Sequence, residues 1–177
     1  MMRTSLRAWC LAATLAVAPS AMAAPLVQVV FSPEGSALQL VLNTLNDAQS
    51  SIRLMGYSFT SPEVVRALVD AKRRGVDVKV VLDEKGNQNT VSQVAMNLLV
   101  NADIPVRTVD KFKIMHDKTI ICDNKTTGVG SFNFSRAAAN ANSENVLVLH
   151  DMPTVAHTYL IHWQSRWDIG KDWRSSY

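Results

Sequence analysis

Apolar residues along this chain fall into short runs with two periods. "LVQVVF" (26–31) is rich in β-branched residues and stops at Ser32-Pro33, as a buried strand does. Leu38, Val41, Leu42 and Leu45 then recur at helical spacing, and "SIRLMGYSF" (51–59) reads as the next strand. Ser61 can cap a helix with Pro62 at its first position and Glu63 in its first turn, and Gly75 supplies the stop. "VDVKVVLD" (76–83) is a strand, residues 84–89 a polar loop, 90–102 a helix, and "PVRTV" (105–109) extended. Strands alternating with helices of this size predict an α/β sandwich, a mixed and largely parallel β-sheet flanked by helices.

Beyond residue 110 the rhythm changes. "MHDKTIIC" (115–122) and "TGVGSF" (127–132) flank "DNKT" (123–126), a composition suited to a hairpin turn, which is why the sheet is expected to be mixed. "ENVLVL" (144–149) is one more strand. A closing helix starts near Pro153 and carries Val155, Tyr159, Leu160, Trp163 and Trp167 roughly on one face. No low-complexity tract or linker interrupts the pattern, and residues 116–135 have no second copy.

The first residues do not fit this rhythm. Arg3 and Arg7 precede the apolar run 8–18, and Ala21 and Ala23 stand at small-residue positions, so residues 1–23 read as a secretory signal peptide. The rival reading, a retained anchor, is disfavoured because Pro19 and Pro25 interrupt a run shorter than the ~20 residues a spanning helix needs. Removing 23 of the 177 residues leaves a single expected domain, 24–177, in the periplasm or outside the cell. Arg3 and Arg7 leave with the signal, so the net charge falls from +3 to +1 and attraction to a polyanion must come from local clusters. Cys10 leaves too, and Cys122, alone, can form no internal disulfide and suits a small core position.

The candidate chemistry lies in "HDKTIICDNKTTGVGSFNFS" (116–135). In a strand, residues two apart share a face, so His116 and Lys118 would project together, as would Ser131 and Asn133 on the returning strand. If the hairpin brings those faces together, an imidazole, an ammonium, a hydroxyl and an amide converge. That set makes a phosphate site containing a nucleophile. Asp123 lies at odd spacing from His116, where organising the turn is its natural task.

Other features have plainer readings. Residues 72–74, "KRR", are a solvated helix end, whereas "KFK" (111–113), close before His116, is read as steering phosphate. Trp163 and Trp167 are core, with Phe132 and Phe134 buried behind the site. No metal or other cofactor is expected: Cys122 and Asp123 point to opposite faces of a strand, and His157 and His162, five apart, do not share a helix face as ligands would. His150 follows a strand.

The motif resembles a known signature. His116, Lys118 and Asp123 in the pattern H-x-K-x4-D, followed by Gly130-Ser131 and Asn133, are similar to the phospholipase D superfamily, and residues 56–83 resemble the first half of such domains. Size, the single motif and the signal make the chain most like the small secreted bacterial endonucleases of that superfamily. The resemblance implies that His116 attacks phosphorus to form a phosphohistidine, that Lys118 and Asn133 hold the non-bridging oxygens with Ser131 beside them, and that Glu144 hydrogen-bonds the histidine. The motif aspartate, Asp123, counts with them. One imidazole cannot both attack and protonate the leaving oxygen. The resemblance therefore implies a homodimer in which two copies of the motif meet on a two-fold axis. The implied function is metal-independent endonucleolytic cleavage of DNA, and of RNA as a further substrate; the alternative is hydrolysis of phospholipid headgroup esters. Against a lipid substrate, and against stable membrane association once the signal is removed, no amphipathic basic helix is legible.

Overall fold

The computed structural model describes residues 26–175, so the reading of residues 1–23 as a signal falls outside the described residues. The elements run β1 (Leu26–Ser32), α1 (Ala37–Asp47), β2 (Ser51–Gly56), α2 (Pro62–Arg73), β3 (Asp77–Asp83), α3 (Thr90–Val100), β4 (Val106–Val109), β5 (Lys118–Cys122), β6 (Thr126–Gly130), α4 (Arg136–Asn140), β7 (Glu144–His150), α5 (Pro153–Ile169) and β8 (Lys171–Asp172). Local chemistry sets several boundaries. Ser61 Oγ accepts the Val64 N–H at 3.3 Å, Pro62 needs no donor in the first turn of α2, and Gly75, at φ 92°, turns the chain out of the helix. Asn89 caps α3 in the same way through the Ser92 N–H at 3.0 Å.

All eight strands form one sheet in the order β1-β7-β6-β5-β2-β3-β4-β8. The sheet is mixed, as the hairpin composition predicts, but its parallel part is smaller than "largely parallel" implies. Only β2-β3 and β3-β4 pair in parallel; the other five pairings are antiparallel. The physical reason is connection length. Parallel strands need a crossover between them, which α2 and α3 supply for β2-β3 and β3-β4, whereas β5 and β6 are joined by a short turn.

Alternation along the strands splits the core in two. Ile52, Leu54, Val78, Val80, Leu82 and Ile120 point to the side covered by α1 to α4, whereas Met55, Val81 and Ile121 point to α5. Trp163 of α5 is 1 % exposed and donates its indole N–H to the Leu54 carbonyl at 2.9 Å. Its ring stacks on Trp167 at 5.0 Å, so the closing helix is core first, as its spacing predicts.

Topology also fixes where a site can form. β5 lies on one side of β2 and β3 on the other, so the order reverses beside β2, and crevices of this kind open at strand ends next to such a switch. The carboxyl ends of β2, β3 and β6 and the amino ends of β5 and β7 all meet there. Gly56 faces Lys118 across the β2–β5 ladder.

Candidate active site

His116 does not sit on a strand. The Met115 N–H, which would have extended the β5 ladder, donates instead to Oδ2 of Asp83 at 2.6 Å. The chain therefore enters β5 only at Lys118, and His116 stands exposed on the approach to it. Asp83, buried at the end of β3, takes the Gly86 N–H on its other oxygen at 2.6 Å. Asn87 completes the fastening: its Nδ2 donates to the carbonyls of Tyr57 (2.6 Å) and Asp83 (2.8 Å), and its Oδ1 accepts the Phe59 N–H (2.9 Å). One buried network thus ties the ends of β2 and β3 to the residue before His116. Fully satisfied networks of this kind rigidify what they hold.

Tyr57 is the product of that fastening. Its ring meets the His116 ring edge-on, 4.8 Å between centroids, and the Lys118 ammonium lies 5.2 Å over its face. Gly86 leaves room for it, since a β-carbon there would stand 2.8 Å from the Tyr57 carbonyl oxygen.

Lys118 is only 8 % exposed, and its Nζ donates to the His116 carbonyl at 2.8 Å. Burial pushes the ammonium below the ordinary lysine range, while Asp117 and Glu144 pull it back towards the charged form. On the returning strand, Ser131 and Asn133 follow β6 rather than belong to it. Ser131 Oγ donates to Glu144 Oε2 at 2.5 Å and accepts the Asn145 N–H at 3.1 Å. That close approach requires Gly130, where a β-carbon would come within 2.1 Å of the Asn145 carbonyl oxygen. Asn133 Oδ1 is buried without a partner among the described residues. Phe132 and Phe134 are buried behind it, as expected.

Two sequence expectations change here. Glu144 makes no hydrogen bond to His116 among the described residues; its oxygens are taken by Ser131 and by Asn142 Nδ2 at 3.0 Å. Asp123 does not join the cluster. It lies at the far end of β5, about 16 Å along the strand from Lys118. There, at φ 54°, its carboxylate accepts the backbone N–H groups of Gln49 (2.9 Å), Ser50 (2.8 Å) and Ser51 (2.9 Å) and the Ser50 hydroxyl (2.9 Å). Burial alone would raise its pKa, but these donors outweigh that and hold it below the usual carboxylate range. Asp123 is a turn organiser. Asp123→Ala is expected to cost about 2–3 kcal/mol of stability by stranding those donors, read as a fall in denaturation midpoint. Because the folded pKa is depressed, the contribution is complete above the unfolded pKa and fades as pH drops through the folded one, so wild type and variant should converge in acid.

The remaining histidines divide. His150 bonds Gln28 at the opposite end of the sheet, and His157 is exposed on α5. His162, set aside on spacing, comes closest: its Nε2 lies 3.2 Å from Oδ1 of Asp117, the residue between His116 and Lys118. Sequence spacing could not find Asp83, Asn87 or Tyr57. Among the described residues no three His, Cys, Asp or Glu side chains cluster as metal ligands, and Cys122 is a buried thiol pushed up to about 12 by its burial.

Comparison with known proteins agrees with this geometry. The domain family described as "Cardiolipin synthase, PLD-like domain" matches residues 41–167. Among solved structures, Nuc of Salmonella typhimurium, a phospholipase D family member, is 55% identical with a TM-score of 0.85, and the match covers 86% of this chain and all of that one. A phospholipase D of Rickettsia bellii is 36% identical over 141 residues, 79% of this chain and 68% of its own. The mitochondrial cardiolipin hydrolase of Mus musculus is 35% identical over 133 residues, 75% of this chain and 59% of its own.

Proposed function

This chain belongs to the phospholipase D superfamily and is a phosphodiester hydrolase, and from that premise we propose that it cuts nucleic acid internally, DNA and also RNA, through a covalent phosphohistidine. The carrying observation is the pairing of an exposed imidazole with a buried ammonium: a nucleophile open to substrate beside a cation stripped of its water. The likeness to Nuc over that protein's whole length favours nucleic acid.

In this reading an imidazole nitrogen of His116 attacks phosphorus, and the bond to the leaving oxygen breaks as that oxygen takes a proton from an acid. Lys118 and the amide of Asn133 hold the non-bridging oxygens, with the Ser131 hydroxyl, set by Glu144, beside them. Water, giving its proton to the base that the acid became, then attacks the phosphohistidine and releases both His116 and the phosphate monoester. The acid is His116 of a second copy, brought to the first across a two-fold axis. The signal reading of residues 1–23 places the working enzyme in the periplasm or outside the cell. The second reading, a phospholipid headgroup hydrolase, is favoured by the names of the Rickettsia and mouse relatives.

Purified protein in EDTA, given plasmid DNA, RNA and phosphatidylcholine side by side, separates them. DNA cleavage in chelator is expected, because Lys118 and a protonated histidine supply the electrophilic help that a divalent ion gives elsewhere. Loss of cleavage in chelator, restored by magnesium, rejects the mechanism. Turnover of phosphatidylcholine without cleavage of DNA promotes the second reading.

A further inference from the structure

Residues 110–117 contain no helix or strand, yet they are tied down at four points. Asp110 accepts from Lys171 Nζ at 2.5 Å, Phe112 lies under the Arg166 guanidinium at 4.8 Å, the Met115 N–H donates to Asp83, and Asp117 meets His162. A segment fixed before its ligand arrives loses little freedom on binding. Two of its apolar side chains nevertheless face solvent, Phe112 at 38 % exposure between the exposed cations Lys111 and Lys113, and Ile114 at 46 % just after them. An aromatic ring held rigid by a cation on one face, flanked by two more cations and set just ahead of the nucleophile, has the character of a single-strand binding surface.

We propose that Phe112, backed by Arg166, is a stacking platform for an unpaired nucleobase within about four nucleotides of the scissile phosphate, with Lys111 and Lys113 on the adjoining phosphates. This rests on the nucleic-acid reading above and adds a subsite and a strand preference to it. The chain from Phe112 to His116 spans at most about 14 Å, the length of about four stacked nucleotides at roughly 3.4 Å each. The base must be unpaired and unstacked, because within a duplex its faces are covered by its neighbours. A phospholipid headgroup has no such face to offer.

The test uses a fluorescent single-stranded oligonucleotide and an oligomer of the same length and charge whose sugars carry no bases. For the wild-type dimer, KM should be about ten-fold lower for the oligomer with bases, in line with the strength of one base–aromatic contact. Phe112→Ala should bring the two KM values within two-fold of each other, and Phe112→Trp should restore the difference. Equal KM values in the wild type, or a Phe112→Ala chain that still discriminates ten-fold, overturn the stacking platform while the nuclease reading stands. A Phe112→Ala chain that elutes as a monomer where the wild type is a dimer also overturns it, since the ring would then be a subunit contact. A wild-type protein that cleaves neither oligomer removes the nucleic-acid reading itself.

Discussion

Equal parts of wild-type and His116→Ala chains, left to exchange subunits, should retain about one quarter of the wild-type nuclease activity. The variant alone should be inactive, with a loss on the order of 10^4-fold or more, because His116 is the proposed nucleophile. In the proposed shared site each mixed dimer holds one imidazole where two are needed, and lacks either nucleophile or acid. Only purely wild-type pairs, one in about four after random exchange, remain complete. Independent sites would instead leave about half. Size-exclusion chromatography establishes the dimer, and differently tagged chains report the exchange. A linear fall in activity with mutant fraction rejects the shared site, and the structure then names the replacement. His162, held against Asp117, is the histidine a single chain could bring to bear, because His150 stands at the other end of the sheet.

Lys118→Met should lower kcat by about 100- to 1,000-fold, the usual cost of removing a preorganised charge from a phosphoryl site, and should nevertheless melt no lower than the wild type. The ammonium is desolvated in the folded chain, and the His116 carbonyl, the Tyr57 face and the charges of Asp117 and Glu144 offset that burial only in part. Its folded pKa is depressed, so folding is penalised at neutral pH and the penalty fades as pH rises past the folded value towards the unfolded one. The stability gap between variant and wild type should therefore narrow in alkali. Activity carries the same signature with opposite consequence. The alkaline limb of kcat/KM should fall below the range of an ordinary lysine, and Lys118→Arg, which stays charged, should move that limb upward. A Lys118→Met enzyme with more than a tenth of normal kcat would show that the ammonium does not bind phosphate.

Much of this was legible in the sequence, and the rest has a physical explanation. Ser61, Pro62 and Gly75 mark α2 because caps, prolines and glycines act on their immediate neighbours. The β5–β6 hairpin is equally local, and the odd spacing of Asp123 from His116 points to the turn, whereas the motif resemblance counts it with the site. The strand ends were less legible. β5 was drawn to begin at Met115, whereas its ladder begins at Lys118, because Asp83, 32 residues upstream, captures the Met115 N–H. Tyr57 and Asn87 carry no local signal for the same reason: what makes them matter is a contact 30 residues away, and no period reports it. Arg74, read as part of a solvated helix end, reaches back to the carbonyl of Asn46 at 3.0 Å and helps close α1.

The order of the strands also bears on how the chain is made. β2, β3 and β4 are neighbours in sequence and in the sheet, so that unit can assemble as soon as residues 51–109 have emerged. β1 is different: it pairs along its whole length with β7, Leu26 opposite His150 and Ser32 opposite Glu144. During N-to-C synthesis the first strand therefore waits unpaired until nearly the entire chain has appeared, and such distant pairing is intrinsically slow to form. A topology of this kind leaves the leading end of the described chain unpaired until last.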